Sequence, residues 1–204
     1  MKDKPASIKE EKALKTRRNI IRASTKLFAR EGYHKTTISD IAREINLTTG
    51  AVFHHFPTKE AILYAVIDWL SKGMMMYADF LEKKKEGAIE VVEEMIRTML
   101  SHFDRYPEAT ICLAMLSTEF AGSNHPVEKR LKEVYEPFLQ NAARLFSKYP
   151  DIKDPRAASI AILGAAHGIG IQGLFREGET DAKSIAEGLI SMILHNWDED
   201  RAKG

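Results

Sequence analysis

The sequence has few of the features on which secreted or membrane-embedded proteins depend. Its 204 residues include one cysteine, Cys112, so an intrachain disulfide is excluded and oxidising export is not indicated. Met1–Pro5 is charged and no apolar stretch follows it, so we expect no signal peptide. One long run, 157–175, is nearly apolar, but it contains His167, Gln172 and four glycines. We interpret it as an interface helix rather than a membrane span, and we expect a cytoplasmic protein without a membrane partner.

Strand signals are also scarce, because no two-residue hairpin turn lies between alternating segments. Helix signals are frequent. Ser7–Glu10 and Thr37–Asp40 are capping-box patterns, Gly32 is a helix stop, and Pro107 and Pro126 are typical of first helical turns. The sequence therefore predicts an all-α fold. The nine predicted helices run from about 7–31, 37–45, 48–56, 59–85, 87–105, 107–121, 126–148, 155–176 and 180–197.

The net charge is close to zero, but positive and negative residues are unevenly distributed along the chain. The formal net charge is +1, yet residues 1–60 contain 13 Lys and Arg against 7 Asp and Glu. Residues 61–204 contain 17 against 22. A basic front part joined to an acidic body indicates that a polyanion contacts the front part only. The alternative explanation of this asymmetry is a charged N-terminal helix that is simply exposed to solvent. We expect the first dozen residues to fray unless a charged partner orders them.

The most informative stretch is 36–59, in which two short helices meet at Asn46-Leu47. This arrangement matches the helix-turn-helix plan, whose second helix enters the major groove of DNA. In that second helix Val52 and Phe56 are the expected anchors to the core. Thr49 and His54 then face outward and are the best candidates for hydrogen bonds to base edges.

The remaining candidates near this helix fit other kinds of DNA contact. Small residues allow a close approach to bases, methyl and aromatic groups can touch thymine methyls, and hydroxyls or a lysine suit phosphates. The hydroxyls would also serve as helix caps without DNA. His54 and His55 do not predict a metal site, because adjacent helical residues diverge by about 100°. The predicted DNA-binding residues are Thr37, Ser39, Thr48, Thr49, Gly50, Ala51, Phe53, His54, His55 and Lys59.

From about Arg18 to Asp68 the sequence resembles the tetracycline-repressor (TetR) family of bacterial regulators. The residues that carry this resemblance are Ile20-Ile21, Leu27-Phe28, Gly32-Tyr33, Thr36–Ile38, Asp40–Ala42, Thr48–Phe56 and Lys59-Glu60. The resemblance implies a three-helix DNA-binding domain followed by a six-helix ligand-binding and dimerisation domain. It also implies that the residues named above, apart from Gly50, correspond to the family's DNA contacts. The expected domains are a basic arm at 1–14, a helix-turn-helix domain at 15–60 and a body at 61–204.

Three positions depart from the family pattern. Phe53 replaces the usual tyrosine, so a hydroxyl bond to phosphate is lost. Asn46 stands where glycine is usual in the turn, and asparagine tolerates a left-handed backbone at modest cost. Pro57 replaces a usually polar residue. These departures affect individual contacts rather than the domain.

The body contains apolar and methionine-rich stripes that could line a ligand pocket, although methionine fills ordinary cores equally well. His167, a polar group inside an apolar run, is the best single candidate for orienting a ligand, and a satisfied core histidine is the alternative. We expect a small, hydrophobic effector. The candidate pocket residues are Trp69, Met76, Phe80, Met95, Met99, Phe103, Met115, Phe120 and His167.

The last two predicted helices have the composition of a dimer surface. Glycines at 164, 168, 170 and 173 leave room for close helix approach, and apolar residues supply area. The resemblance implies that this pair forms a four-helix bundle with its symmetry mate, and a buried pair inside one monomer is the alternative. The candidate interface residues are Ile160, Leu163, Gly164, Gly168, Ile171, Leu174, Ile185, Leu189 and Met192.

The sequence thus predicts a homodimeric, ligand-responsive transcriptional regulator, most simply a repressor that binds a pseudo-palindromic operator in double-stranded DNA. No nucleophile–base pair or paired-carboxylate pattern stands out, so we expect neither enzyme activity nor a cofactor. Two other interpretations stay open. An architectural DNA-binding protein would bind with little sequence preference, and a helical enzyme or carrier bundle would bind no DNA at low salt.

Overall fold

The computed structural model describes residues 7–84 and 89–201, and within these ranges the secondary structure is helical with no strand. The all-α prediction is therefore confirmed. The helices are α1 (Ile8–Glu31), α2 (Ile38–Glu44), α3 (Thr49–His55), α4 (Lys59–Glu82), α5 (Ile89–Arg105), α6 (Pro107–Phe120), α7 (Pro126–Phe146), α8 (Pro155–Phe175) and α9 (Ala182–Arg201).

Side-chain caps explain most of the helix starts. Ser7 and Thr37 each form a complete capping box, with Glu10 and Asp40 respectively, as their spacing predicts. Asp154 caps α8 by accepting from the backbone N–H of Ala157. The prediction for α9 is wrong in detail. Asp181 rather than Thr180 accepts from the N–H of the third helical residue, at 2.7 Å, and the helix continues beyond Trp197.

The predicted start of α5 just after Gly87 and the predicted end of α4 at Lys85 lie outside the described residues. The chain divides into two compact units. The first contains residues 1–71 and 112–131, and the second contains 72–111 and 132–204, so the division falls within α4, α6 and α7. The functional domain boundary near residue 60 remains a prediction.

The first unit has a core formed by the first four helices together with the segment from Cys112 onward. Its centre includes side chains that are fully or almost fully buried. These are Ile20, Phe28, Ile41, Val52, Phe56, Ile62, Leu63, Val66, Ile67, Cys112 and Leu116. Burial raises the pKa of the Cys112 thiol well above its usual value, so this thiol stays protonated.

The second unit has its own core, in which α5, α7, α8 and α9 contribute side chains. Its most buried members include Leu81, Met95, Phe138, Ala142, Ala186 and Ile190. Two side chains of α7 donate hydrogen bonds to backbone carbonyls near the end of α4. Asn141 Nδ2 donates to Ala78 O at 2.9 Å, and Arg144 Nη2 donates to the carbonyls of Leu81 and Glu82. The carbonyls of Leu81 and Glu82, which accept from Arg144, belong to the last turn of α4, where helix carbonyls lack intrahelical partners.

Helix α8 is unusual among the described helices. It is long and apolar enough to cross a membrane by length and composition alone, yet only 17% of its most apolar window is buried. Ser159, Leu163 and Gly170 are its buried residues. The helix therefore presents apolar surface that the monomer does not cover.

Candidate nucleic-acid interface

The recognition helix α3 is held by two buried side chains one turn apart. Val52 is 0% exposed and Phe56 is 1% exposed, and the N–H of Phe56 donates to the carbonyl of Val52 at 2.9 Å. At the other end Thr48 Oγ1 accepts from the N–H of Ala51 at 3.1 Å, which caps the helix. The predicted anchoring of α3 by Val52 and Phe56 is confirmed.

The opposite side of α3 is open. Thr49, Gly50, Phe53 and His54 are exposed, and half of the Phe53 side-chain surface is accessible. A Cβ added at Gly50 would meet only Thr48 Oγ1, at 3.9 Å, so nothing in the protein prevents close approach at this position. Two polar side chains, a glycine and an aromatic ring thus share one accessible surface. Polar groups can form hydrogen bonds with base edges, and an aromatic ring can contact thymine methyls.

Ala51 and His55 differ from these four because they are half-buried. The rings of His54 and His55 lie 5.4 Å apart at 74° to each other. Partial burial, the neighbouring His54 and the Arg17 guanidinium together lower the pKa of His55, so His55 is held in its neutral form more strongly than an exposed histidine. Any contribution of His55 to DNA binding at neutral pH is therefore made without a positive charge.

Sequence reasoning missed Arg17, which contacts the end of α3 from the first helix. Its Nη1 donates to the carbonyl oxygen of His55 at 3.0 Å, and its guanidinium carbon lies 3.9 Å from the Phe56 ring centroid. The last carbonyls of a helix lack intrahelical partners and carry partial negative charge. An arginine at this end therefore supplies a hydrogen-bond donor and a favourable positive charge. The two residues are 38 positions apart, so no local sequence signal indicates the contact.

The turn before α3 has the geometry that its sequence predicts. Asn46 has φ of 54°, in the left-handed region that asparagine tolerates. The N–H of Leu47 donates to the carbonyl of Ala42 at 2.8 Å, which closes the end of α2. The expectation that Asn46 can replace the more usual glycine is therefore confirmed.

The start of α2 presents two hydroxyls with different surroundings. Thr37 accepts from the N–H of Asp40 at 3.1 Å and donates to the Asp40 carboxylate at 2.6 Å. Hydrogen bonds from Thr37 hold the pKa of Asp40 below its usual value, so the cap persists in mildly acidic solution. Ser39 is exposed and makes no hydrogen bond to the described residues. Ser39 is thus the more available of the two for a phosphate.

Lys59 has internal partners that the sequence did not predict. Its ammonium group donates to the carbonyl oxygens of Tyr33 (2.8 Å), His34 (3.3 Å) and Thr36 (2.9 Å), and it lies 4.3 Å from the Tyr33 ring centroid. An ammonium group has three protons, so these acceptors occupy it fully. Lys59 fastens the loop between α1 and α2 to the start of α4. Its predicted phosphate contact requires some of these bonds to open.

The same loop is held from a second side by α6. The N–H of Tyr33 donates to Glu119 Oε2 at 2.8 Å, and the Phe120 ring lies 5.6 Å from the rings of both Tyr33 and His34. Gly32 has φ of +84°, a backbone conformation that favours glycine, and a Cβ there would also force the flexible Glu119 carboxylate to shift. Phe120, 3% exposed, is accordingly a core residue of the first unit, and its predicted pocket role gains no support.

The other predicted pocket residues are divided between the two units. In the first unit Trp69 and Met115 are half-buried. In the second, Met95 is buried, whereas Met99, Phe103 and His167 are half-buried. The remaining two, Met76 and Phe80, line an open groove of about 730 Å³ along the end of α4.

His167 and Phe103 lie where the second unit brings α5, α7 and α8 together. His167 Nε2 is 3.4 Å from the hydroxyl oxygen of Tyr135, and burial lowers the pKa of this imidazole. Phe103 packs against Gly170, one helical turn beyond His167, where an added Cβ would approach its ring to 3.0 Å. A neutral imidazole beside a phenol is a polar pair that could orient a ligand or satisfy itself.

The candidate dimer residues separate into exposed and internal groups. Ile160, Ile171, Leu174 and Met192 are exposed, by 39% to 68%, and Phe175, which was not predicted, is 79% exposed. Leu163 is buried, while Gly168, Ile185 and Leu189 are half-buried.

The glycines of α8 separate in the same way. Added Cβ atoms at Gly164 and Gly168 would meet nothing within 4 Å. Gly170 instead faces Phe103, and Gly173 faces the backbone of Ala182 in α9. Two glycines therefore serve packing within the monomer, and two leave open surface.

Known proteins share both the N-terminal segment and the fold. The family model for bacterial regulatory proteins, tetR family, matches residues 20–66. The HTH-type transcriptional regulator HbdR of Aromatoleum sp. (strain CIB) is 34% identical over 106 residues, which are 50% of this chain and 44% of HbdR. The chain thus spans less than half the length of this relative.

Two solved structures resemble this chain over most of its length. The MbdR regulator from Azoarcus sp. CIB has a TM-score of 0.76 at 23% identity, covering 87% of this chain and 96% of MbdR. AibR, solved in complex with isovaleryl coenzyme A and operator DNA, has a TM-score of 0.71 at 18% identity, covering 86% and 96%. HbdR and MbdR are regulators, in agreement with the expectation that the chain is not an enzyme. The match to the tetR family of bacterial regulatory proteins thus covers residues 20–66, and the likeness to the solved structures extends to the fold of most of the chain.

Proposed function

We propose that this chain regulates transcription as a homodimer that binds a two-fold symmetric DNA site and is released by a small hydrophobic effector. The observation that carries this proposal is the orientation of α3, in which Val52 and Phe56 face the core while Thr49, Phe53 and His54 face solvent. A capped, seven-residue helix is about 10 Å long, which matches the width of the major groove.

The DNA-binding part can be tested with a pool of duplexes in place of a known operator. The purified chain is mixed with duplexes that carry a random central sequence, and bound duplexes are recovered and sequenced. A regulator enriches one motif with related half-sites. Binding without enrichment would favour the architectural interpretation. No binding at low salt would favour an enzyme or carrier.

The dimer is supported by the exposed apolar surface of α8 and α9. Ile160, Leu174, Phe175 and Met192 are each about half exposed or more. Extensive exposed apolar surface is unusual on monomers, and Gly164 and Gly168 would allow close helix approach. A second copy that presents the same surface would cover it by two-fold symmetry.

Sedimentation equilibrium tests this association at micromolar concentrations, in parallel with incubation with phosphatidylcholine vesicles. A dimer that does not enter the vesicle fraction agrees with the proposal. A monomer, or transfer of the protein to the vesicles, would contradict it.

Effector control is supported by the neutral His167 beside Tyr135 in a predominantly apolar unit. AibR, which shares the fold, was solved with an acyl coenzyme A, and we extend that ligand class to this chain as a proposal. A ligand that favours one spacing of the two recognition helices shifts the population away from the state that binds DNA.

The effector test uses the enriched duplex with a panel of short-chain and long-chain acyl coenzyme A thioesters and aromatic drugs. At least one compound is expected to weaken DNA binding by about 5-fold to 150-fold at saturation. A reporter gene downstream of the enriched site should be repressed without that compound. Equal DNA affinity with every compound that binds would contradict effector release.

A further inference from the structure

The second unit contains a groove between α5 and α9 that the proposed DNA-binding function does not use. The two helices pack against each other within this unit, and the groove along them has a volume of about 510 Å³. This volume is within the range of small-molecule sites. We call it the α5–α9 groove. Its described lining residues are Arg97, Leu100, Ser101 and Arg105 of α5 with Lys183 and Glu187 of α9.

Helical spacing places three polar residues of α5 on one wall of this groove. Arg97, Ser101 and Arg105 follow one another at intervals of four, so each arginine is about 6 Å along the helix axis from the serine. The long side chain of an arginine can cover that distance. Both guanidinium groups can therefore approach a ligand that lies at Ser101, with the buried Leu100 beside it.

Hydrogen-bond donors outnumber acceptors along the groove. Arg105 and Ser101 are exposed and have no hydrogen-bond or ion-pair partner among the described residues. Arg97 gives two of its five N–H groups to Glu93, at 2.7 and 3.0 Å, and retains three. Arg156, elsewhere in the same unit, is instead paired through both terminal nitrogens with one carboxylate. The groove thus offers donors that a ligand with several acceptor oxygens would satisfy.

The charge of the groove differs from that of the body around it. Its described lining includes three cations and one carboxylate, that of Glu187, although Glu93 offsets part of the charge of Arg97. Residues 61–204 as a whole contain 17 Lys and Arg against 22 Asp and Glu. Lys183 lies 3.9 Å from Glu187 and forms no hydrogen bond with a described residue. A positive surface on an otherwise acidic body attracts anions.

The groove is turned away from the surface proposed for dimerisation. Met192, an exposed candidate interface residue, follows Lys183 by nine positions in α9. At about 100° per residue this spacing places the two side chains on opposite sides of the helix. A ligand in the α5–α9 groove and a second copy of the chain can therefore be bound at the same time.

We propose that the α5–α9 groove binds the phosphate group of a phosphorylated small molecule through Arg97, Arg105, Lys183 and the Ser101 hydroxyl. Arginine presents a planar fork of donors that matches phosphate oxygens, and lysine adds a point charge. This inference rests on the proposed effector control for its biological role, and it gives the effector a phosphate in addition to a hydrophobic part. Glu187 lies beside the bound anion and weakens its binding by repulsion.

The test measures binding of inorganic pyrophosphate to the purified full chain by isothermal titration calorimetry. Ionic strength is low and constant, because salt screens exposed charges. The variant Arg105→Gln, Lys183→Gln removes two cations from the groove, and Glu187→Gln removes its carboxylate. The matched control Lys72→Gln, Lys153→Gln removes two exposed lysines of the same unit that do not line the groove. Circular dichroism confirms that each variant is folded.

The wild-type chain is expected to bind pyrophosphate with a Kd of about 1 mM or tighter. Affinity should fall at least about tenfold in Arg105→Gln, Lys183→Gln, because two charge contacts to the ligand are lost. Affinity should rise about 2-fold to 5-fold in Glu187→Gln, because a repulsion is removed. Damage to the fold would not raise affinity, so this gain identifies a direct electrostatic effect. The control should match the wild type.

The other outcomes separate the groove from the DNA-binding function. Absence of pyrophosphate binding, or equal affinities in all the proteins, would overturn the phosphate site and leave the DNA-binding proposal intact. The enriched duplex is titrated in parallel over a range of salt concentrations. If Arg105→Gln, Lys183→Gln lowered the salt slope of DNA binding but kept wild-type pyrophosphate affinity, the groove would belong to DNA and the proposal would be refuted. Failure of the wild type to bind any duplex would overturn the DNA-binding function alone.

Discussion

Helices α3 and α8 both expose apolar side chains, but they do so in different ways. In α3 two anchors are buried and the opposite side combines polar groups with one aromatic ring. In α8 apolar residues surround the helix, and only three of its 21 residues are buried. When one side of a helix is apolar and the other polar, the sequence predicts which side is buried. When the helix is apolar on all sides, the sequence predicts only that other surfaces must cover it.

The largest expected effect comes from a charge in the exposed surface of α8. Leu174→Glu should weaken dimerisation by about 4 to 6 kcal/mol, since the two-fold symmetric interface would bury the carboxylate twice. The monomer should stay folded, because Leu174 is 48% exposed. Sedimentation equilibrium measures the change, and operator affinity should fall with it.

The control for this variant is Met75→Glu, which introduces the same charge at a residue of α4 that is 55% exposed. It should leave the oligomeric state unchanged. Dimers of undiminished stability in Leu174→Glu would mean that α8 is not the interface, and its exposed apolar surface would then need another explanation.

The second prediction uses two phenylalanines of the same helix region. Phe56→Ala removes a ring that is 1% exposed and should destabilise the first unit by about 3 kcal/mol or more. Phe53→Ala removes a ring that is 50% exposed and should change stability by no more than about 0.5 kcal/mol. Urea denaturation followed by circular dichroism measures both.

DNA affinity should respond differently from stability in this pair. Phe53→Ala is expected to weaken operator binding by about 1 kcal/mol or more despite its small effect on folding, because the proposed function places this exposed ring in the groove. Similar stability losses in the two variants, or full operator affinity in Phe53→Ala, would contradict the orientation of α3.

The contrast between the two helices also explains which parts of the molecule could be predicted. Capping boxes at Ser7 and Thr37, the turn at Asn46 and the anchors of α3 depend on residues that are close in the sequence, and local chemistry determines them. Helix α9 shows the limit of such signals, because Thr180 and Asp181 are both competent caps and only the structure distinguishes them.

The contacts that could not be predicted join distant residues. Arg17 meets His55 across 38 positions, and Glu119 meets Tyr33 across 86. Lys59 follows the family pattern for a phosphate contact, yet three carbonyl oxygens occupy its ammonium group. Sequence periodicity reports which side of a helix is buried, but it does not report which group of another helix lies there.

The third prediction concerns the link between α1 and α3. Arg17→Met should destabilise the first unit by about 1 to 2 kcal/mol, because it removes a charge-assisted hydrogen bond to the end of α3 and a contact with the Phe56 ring. Arg17→Lys should recover only part of this loss, since lysine lacks the planar guanidinium group.

Salt dependence distinguishes positioning by Arg17 from direct phosphate contact. Operator affinity of Arg17→Met should fall by about 5-fold to 30-fold while the slope against salt stays that of the wild type. A slope lowered by about 0.9 for each protomer would instead make Arg17 a phosphate contact.

The smallest expected effect is a pH dependence in the second unit. Burial lowers the pKa of His167 below its ordinary value of 6.5, so the folded state favours the neutral imidazole. The stability that His167 contributes is therefore present above pH 6.5 and is lost as the pH falls through and below that value. His167→Gln, which does not titrate, should lose less stability than the wild type between about pH 7 and pH 5. Equal losses in thermal denaturation would contradict the burial of this imidazole.

The most direct test of base reading by α3 compares the DNA motifs that three proteins enrich from a random pool, namely the wild type, Thr49→Ala and His54→Ala. If the exposed side of α3 reads bases in a symmetric dimer, the wild-type motif has two related half-sites. Each variant should then lose preference at one pair of symmetry-related positions, by about 1 to 3 kcal/mol, and at no others. Identical motifs for all three proteins, or a motif without two-fold symmetry, would contradict the central claim.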